Sequence, residues 1–370
     1  MKMKGLELSI SIFKILCGIA AVVMIGYWIF KFHKNDDVSA IEYISYDTHG
    51  DIVYPELSIC IISPFTSPNV FWRSSGNISA SEYEEYINGK KSFRDEYTKI
   101  NFFDVTLGIF KYVDYMQLYM RNQIFLEPLT CQKPEDCPYV TFKNSFNGFF
   151  NGFITRCFGF NVNSKKANNV NSLYVVFKKE LNIILDRFSE HGSGQIFLLL
   201  SYPGQMLKNP GVWQSIWKNG NDSIGMLSIK VSTNEILRRR NKNKDPCFAD
   251  WINFDDTVLK IHHDAVGCRP PYHKSNKPLC TSEKEILESR YELNEIRNRY
   301  IPAPCEEMSS ISFSAERLEI AKHPQKIQLY LNYPDKTKVI QQVKAVDFQS
   351  LIGNIGGYIG LLLGKMKGFG

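Results

Sequence analysis

The segment from about Leu6 to Phe32 constrains this chain more than any other feature, because it is apolar almost throughout. Only Glu7, Lys14 and Lys31 interrupt it, and its centre from Ile15 to Phe30 carries no charge. Such a surface has to be covered, and a bilayer covers it. At about 1.5 Å per residue, a helix over the segment reaches the roughly 30 Å of a hydrocarbon core. Lys14 can snorkel toward one headgroup layer while Tyr27 and Trp28 sit at the other. A cleaved signal peptide with Lys2 and Lys4 as its basic start is the rival reading. Against it, Lys31-Phe32-His33-Lys34 stands where a small-residue cleavage site belongs. Residues 1–5 then read as a short cytosolic stretch and residues 6–32 as a transmembrane helix.

Of nine cysteines, Cys17 alone lies in that helix, which leaves an even set of eight downstream. An even set predicts disulfides and therefore an oxidising, extracellular compartment. Two N-x-S acceptor sites, at Asn77 and Asn221, fit the same side of the membrane and place the N-terminus inside. Eight cysteines allow 105 connectivities, and the spacing does not choose among them. The net charge of +6 is small for 370 residues and spread along the chain, so nucleic acid is not expected as a partner.

Residues 33–345 read as one composite extracellular α+β domain. Runs rich in β-branched and aromatic residues predict strands at 57–62, 173–177, 195–200, 226–232 and 326–333. They are far apart in sequence, which predicts a sheet assembled from non-local pieces with helical insertions. One insertion is expected to carry a helix over Ser81–Asn88, stopped at Gly89, and a longer aromatic-rich one over Phe102–Gln123. Another begins at the capping-box pattern Ser282-x-x-Glu285 and ends before Pro302. Sequence patterns for hydrolases, zinc proteases, nucleotide binding or dithiol redox chemistry are missing, so no enzyme is predicted. His262-His263-Asp264 reads as a solvated loop rather than a metal site. Arg238-Arg239-Arg240 reads as a basic strand end that pairs with acidic residues at a subunit interface.

Near the C-terminus, Leu351 to Leu363 is uncharged, and Gly356, Gly360 and Gly364 recur every four residues, as do Gly353 and Gly357. On a helix these glycines line one side and permit close approach of backbones in a membrane. A buried glycine-rich turn is the alternative, since a helical glycine costs about 1 kcal/mol relative to alanine. Residues 346–364 thus read as the start of a second membrane helix. The uncharged run is too short to span, and Lys365 and Lys367 follow it, so residues 365–370 read as an atypical tail of a truncated helix.

Several motifs occur in a fixed order: Tyr54-Pro55-Glu56-Leu57-Ser58-Ile59-Cys60, Cys157-Phe158-Gly159-Phe160-Asn161, Tyr202-Pro203-Gly204-Gln205, Gly267-Cys268-Arg269-Pro270-Pro271-Tyr272, Leu279-Cys280, Pro304-Cys305, and Asp347-Phe348-Gln349-Ser350 through Gly364. In that order they resemble the degenerin, epithelial sodium channel and acid-sensing ion channel family across most of the chain. The resemblance implies a palm sheet with helical finger and thumb, and the disulfides Cys60–Cys157, Cys131–Cys137, Cys247–Cys305 and Cys268–Cys280. It implies a plasma-membrane homo- or hetero-trimer with related subunits, passing sodium through an amiloride-sensitive pore, without cofactor; a proton or peptide is the candidate extracellular ligand, and the residues do not choose among acid, peptide, force and constitutive opening as the stimulus. Gly353 then matches the position where bulky residues hold such channels open, Gly360 the blocker site, and Gly364 the first residue of a Gly-x-Ser selectivity belt. Gly357 lies on the same helix. Two departures accompany it. The belt reads Gly364-Lys365-Met366, and a ring of lysines repels cations. The cytosolic His-Gly gating motif has no counterpart before the first helix, since His191-Gly192 is extracellular. A truncated non-conducting regulatory subunit, or a single-pass surface binding protein, is the alternative these departures favour.

Overall fold

The computed structural model describes residues 2–46, 53–66, 69–72, 76–91, 94–121, 127–167, 169–181, 183–184, 196–208, 212–215, 223–242, 244–290, 302–321 and 326–367. In chain order the elements begin with α1 (Lys2–Lys34), β1 (Asp37–Ser45), β2 (Glu56–Ile62), β3 (Asn69–Trp72), β4 (Gly76–Ser79), α2 (Ala80–Ile87), α3 (Asp95–Thr98) and α4 (Phe102–Val105). There follow β5 (Val113–Met120), β6 (Leu129–Cys131), β7 (Val140–Phe150), β8 (Phe153–Val162), β9 (Val170–Phe177), β10 (Ile196–Ser201), β11 (Val212–Ser215) and β12 (Ser223–Arg238). The chain continues through α5 (Phe254–Val266), α6 (Glu283–Ser289), β13 (Glu306–Ala321), β14 (Gln328–Asn332), β15 (Lys336–Lys344) and α7 (Phe348–Lys367). Two compact units result: Met1–Ile41 with Ile340–Gly370, and Glu42–Val339.

In the larger unit, an antiparallel sheet of order β11-β10-β2-β8-β7 shares a core with a second sheet in which β12-β14-β9-β5-β6 are neighbours in that order and β13 also pairs β12. Strand alternation decides which residue goes where. Leu57, Ile59 and Ile61 of β2, with Leu198 and Leu200 of β10, join the common core alongside Leu173, Leu227, Ile229 and Leu331. Their neighbours Cys60 and Leu199 face the other way and pack with Phe146, Met206, Leu207, Phe254 and Val258, so α5 covers that second face. The five-stranded sheet is therefore buried on both sides, as its nearly continuous apolar strands require. A third cluster joins α2, α3 and α4 to the segment carrying Cys268, Tyr272, Cys280 and α6, through Tyr83, Tyr86, Tyr97, Phe102 and Phe149.

All five strand expectations coincide with observed strands, and Ser282 and Glu285 form the reciprocal capping box. That helix is described only to Ser289; residues 291–301 lie outside the described residues. The expected helix over Phe102–Gln123 is corrected. Only Phe102–Val105 is α-helical, a 3₁₀ turn covers Ile109–Tyr112, and Val113–Met120 is a strand. Val113, Met116 and Leu118 are buried while Tyr115 is half-buried and Tyr119 exposed, so the aromatic density reflects a strand face.

Candidate functional site

In the smaller unit, α1 and α7 pack against each other. Both contribute half-buried stripes at helical spacing: Cys17, Ala21, Met24, Ile25 and Trp28 on α1, and Leu351, Asn354, Ile355 and Tyr358 on α7. Gly353, Gly356, Gly357 and Gly360 occupy the opposite side of α7, exposed, and a methyl group built on any of them meets nothing within 4 Å. Gly364 lies within α7, in the part whose surroundings are not described. Over Ser11–Lys34, 24 residues, α1 is the one helix among the described residues long and apolar enough to cross a membrane. Ile15, Leu16, Ile19, Val22, Val23 and Phe30 lie along its exposed surface.

The larger unit holds four disulfides, Cys60–Cys157, Cys131–Cys137, Cys247–Cys305 and Cys268–Cys280. Cys60 and Cys157 are register partners on β2 and β8. Asn77 sits on β4, its side chain undescribed, and Asn221 lies outside the described residues, as does the His191-Gly192 pair. The arginine run is corrected: Arg238 pairs with Glu306 at 2.9 Å and Arg239 with Glu307, both within this chain, across the β12–β13 pair.

The expectation of a solvated His262-His263-Asp264 loop is also corrected, because both histidines are buried on α5. His273 Nε2 donates to the Asn147 carbonyl at 2.6 Å, so its Nδ1 accepts, and His263 Nε2 donates to it at 3.0 Å. This relay ties α5 and the Cys268–Cys280 loop to β7. Burial, then the neighbouring His263, pushes His273 down to about 3, and burial, then Arg269, lowers His263. Among the described residues no group of three or more His, Cys, Asp or Glu converges as a metal site. His273→Phe is expected to leave the His263 N–H and the Asn147 carbonyl buried and unpaired, costing about 2–4 kcal/mol in a urea melt. A loss under about 1 kcal/mol would show that the relay does not hold the loop.

The relay forms one wall of a cavity of about 630 Å3 between β7, α5 and the loop, with Phe103, Leu207 and Leu259 also lining it. Its least expected feature is charge under α5. On the helix-facing side of β2, Glu56, Ser58 and Cys60 alternate with the core residues. Glu56 is 1% exposed; Oε1 accepts from Ser58 Oγ at 3.3 Å, and Lys143 Nζ of β7 lies 3.7 Å from Oε2. Ser58 Oγ is 2.8 Å from Ser145 Oγ. A methyl group on Gly159 would come within 2.3 Å of Glu56 Oε1, so the glycine of the Cys-x-x-Phe-Asn motif makes room for this carboxyl group. Asp255, 7% exposed in the first turn of α5, accepts from the Met206 and Leu207 N–H groups at 2.8 and 3.1 Å. Burial holds Glu56 above the usual carboxylate range, against Lys143 and Ser58, and raises Asp255 well above it, against Lys143 and the two backbone donors. The sequence does not single out Lys143, Asp255 or His273; Glu56 stands in it only as a motif residue and His263 only in a run that reads as a loop. The one available signal was a glutamate and a serine at alternate positions of an otherwise apolar strand.

No protein-family model matches the chain, and no curated protein matches it either. Among solved structures the chain is similar to a proton-activated chloride channel, at 8% identity over 99% of this chain and 95% of that one, with a TM-score of 0.28. Likeness that remote carries no argument, and function has to be argued from the chain's own residues.

Proposed function

We propose that the chain is a non-enzymatic subunit of a trimeric, non-voltage-gated, amiloride-sensitive sodium channel of the plasma membrane, with its disulfide-bearing domain outside the cell. The observation that carries this reading is the uncovered glycine side of α7, opposite the stripe packed on α1. A pore of crossing helices needs an outer helix against lipid and an inner helix whose free side is small enough for copies to meet around an axis. Here α1 suits the first role and α7 the second. The ordered motifs and the four closed disulfides of an extracellular domain support the same reading.

Two-electrode recording with sodium replacement, alone and with a complete related subunit, tests it. An inward sodium current blocked by amiloride is expected, and Gly353→Val should raise the resting current several-fold by preventing close approach at that turn. The sequence Gly364-Lys365-Met366 favours one second reading, a non-conducting regulatory subunit. Co-purification with a related subunit and a changed current, without current from this chain alone, would support it. Neither current nor association would sink both and leave the surface binding protein.

A further inference from the structure

Two cations meet at the ring of Phe103 on α4, and no acid balances either of them. Arg156 of β8 is 6% exposed, with its guanidinium carbon 4.9 Å from the Phe158 ring centre and 5.1 Å from that of Phe103. Lys274 of the 268–280 loop sets its ammonium 4.6 Å from the same Phe103 centre. Phe103 and Lys274 both line the cavity under α5, and so does Asn144, whose Oδ1 accepts from Arg156 Nη2 at 3.3 Å. We propose that this cavity is a binding site for a small organic acid, its carboxylate seated between Lys274 and the Asn144–Arg156 pair and its apolar body against Phe146, Leu207 and Leu259.

A guanidinium keeps its charge when buried, and burial lowers Arg156 only to about 10. Its partners are all neutral: it donates to Thr106 Oγ1 at 2.8 Å, to the Thr106 carbonyl at 3.4 Å and to Asn144. Its Nε–H is buried and finds no acceptor among the described residues. The two rings offset part of the cost of such a charge, and a counter-ion would offset more. The neighbouring acids are committed elsewhere. Asp255 holds the Met206 and Leu207 N–H groups, Asp264 pairs with Lys277 at 2.9 Å, and Asp104 accepts from Asn101 at 3.0 Å. Glu56 lies on β2 with Lys143 3.7 Å away. Asp256 is left, exposed on α5 with Lys260 one turn further on. At its Phe103 end the cavity therefore presents positive charge, and the ligand it favours is an anion.

The rest of the wall decides which kind of anion. Small-molecule sites are cavities of a few hundred Å3 that join apolar and aromatic side chains to a few placed polar groups. A volume of about 630 Å3 beside Phe103, Phe146, Leu207 and Leu259 answers that description. A halide or phosphate ion would leave those side chains uncovered, whereas an organic acid covers them and meets the cations as well. Asn144 suits the carboxylate in particular. Its Oδ1 is taken by Arg156, so its amide nitrogen is left to donate, and an N–H polarised in this way makes a strong bond to an anion. Arg156 then acts through Asn144 as a positioning residue, and Lys274 makes the direct ion pair.

Saturation-transfer NMR on the full chain in detergent micelles tests this, with phenylacetate as the probe and phenylacetamide as its uncharged counterpart. Phenylacetate is expected to bind at least about tenfold more tightly than phenylacetamide, and Lys274→Gln, at an exposed position, to weaken it by about tenfold. Lys284→Gln, on α6 away from the cavity and 84% exposed, is expected to leave it unchanged. Asn144→Asp supplies Arg156 with a carboxylate from the chain itself, so it should raise the urea midpoint while abolishing phenylacetate binding. Equal affinity for acid and amide, no phenylacetate binding up to about 10 mM, equal losses in the two lysine variants, or undiminished binding to Asn144→Asp would each overturn the proposal. Binding is read without ion flow, so this site and the channel reading stand or fall separately.

Discussion

Gly204→Ala is expected to destabilise the larger unit by about 2–5 kcal/mol, a substantial part of the stability of an ordinary domain. Two costs combine. Gly204 has φ +76°, a left-handed conformation that a side chain resists, and a methyl group there would stand 1.8 Å from the Ile252 carbonyl oxygen. That obstacle is backbone, and it cannot swing aside. Gln205 donates to the Trp251 carbonyl at 3.2 Å and the Glu306 carbonyl at 2.6 Å, the Asp255 N–H donates to the Gly204 carbonyl at 2.9 Å, and Asp255 grips the next two N–H groups. The turn after β10, the start of α5 and the β12–β13 ends are thus one pinned assembly. Gly267 provides the control. It ends α5 at φ +85° with nothing within 4 Å, so Gly267→Ala carries only the backbone cost of about 1–2 kcal/mol. Urea midpoints of the two variants should differ clearly; equal losses would show that Ile252 does not press on Gly204.

The same turn marks how far sequence reasoning reached. Tyr202-Pro203-Gly204-Gln205 was legible as a turn, but its partners at Ile252, Asp255 and Glu306 lie about 50 and 100 residues away and leave no local trace. β10 is legible because its apolar run is nearly unbroken, as burial on both faces demands, and β14 because Leu329 and Leu331 alternate with more polar neighbours. β7 and β8 were not read, since Lys143, Asn144, Asn147 and Arg156 make them look polar. Yet Asn151-Gly152 between them, both at positive φ, is the strongest short hairpin signal. Over residues 113–120 aromatic density predicts helix, whereas the alternation of buried positions matches the strand that forms.

For the candidate site the division is similar. The four-residue glycine spacing on α7 could be read directly. The stripe on α1 that α7 packs against could not, because a helix apolar on every side gives no amphipathic signal. Glu56 carries no signal of burial in the sequence: an acid in a strand ordinarily marks a solvent face, and only α5 overhead and Gly159 alongside turn this one into a buried group.

Loss of the Cys60–Cys157 disulfide is expected to cost more than loss of any short-range pair. Its cysteines are 97 residues apart, so an intact bond removes about 4–5 kcal/mol of unfolded-chain entropy, against about 2 kcal/mol for Cys131–Cys137, separated by 6. Location adds to length. Both sulfurs are fully buried on the helix-facing side of the central strands, against Phe254 and Val258, so the double variant Cys60→Ala/Cys157→Ala also opens space beneath α5. Cys131 and Cys137, at the margin of the other sheet, leave little behind. Urea unfolding of both double variants under oxidising conditions distinguishes the terms. A larger loss at Cys60/Cys157, together with faster hydrogen exchange across α5, is the expected outcome. Losses of equal size with α5 unaffected would mean that the sheet holds this helix without the bond, and that the stability of the junction rests on the Gly204 turn and the charges beside it.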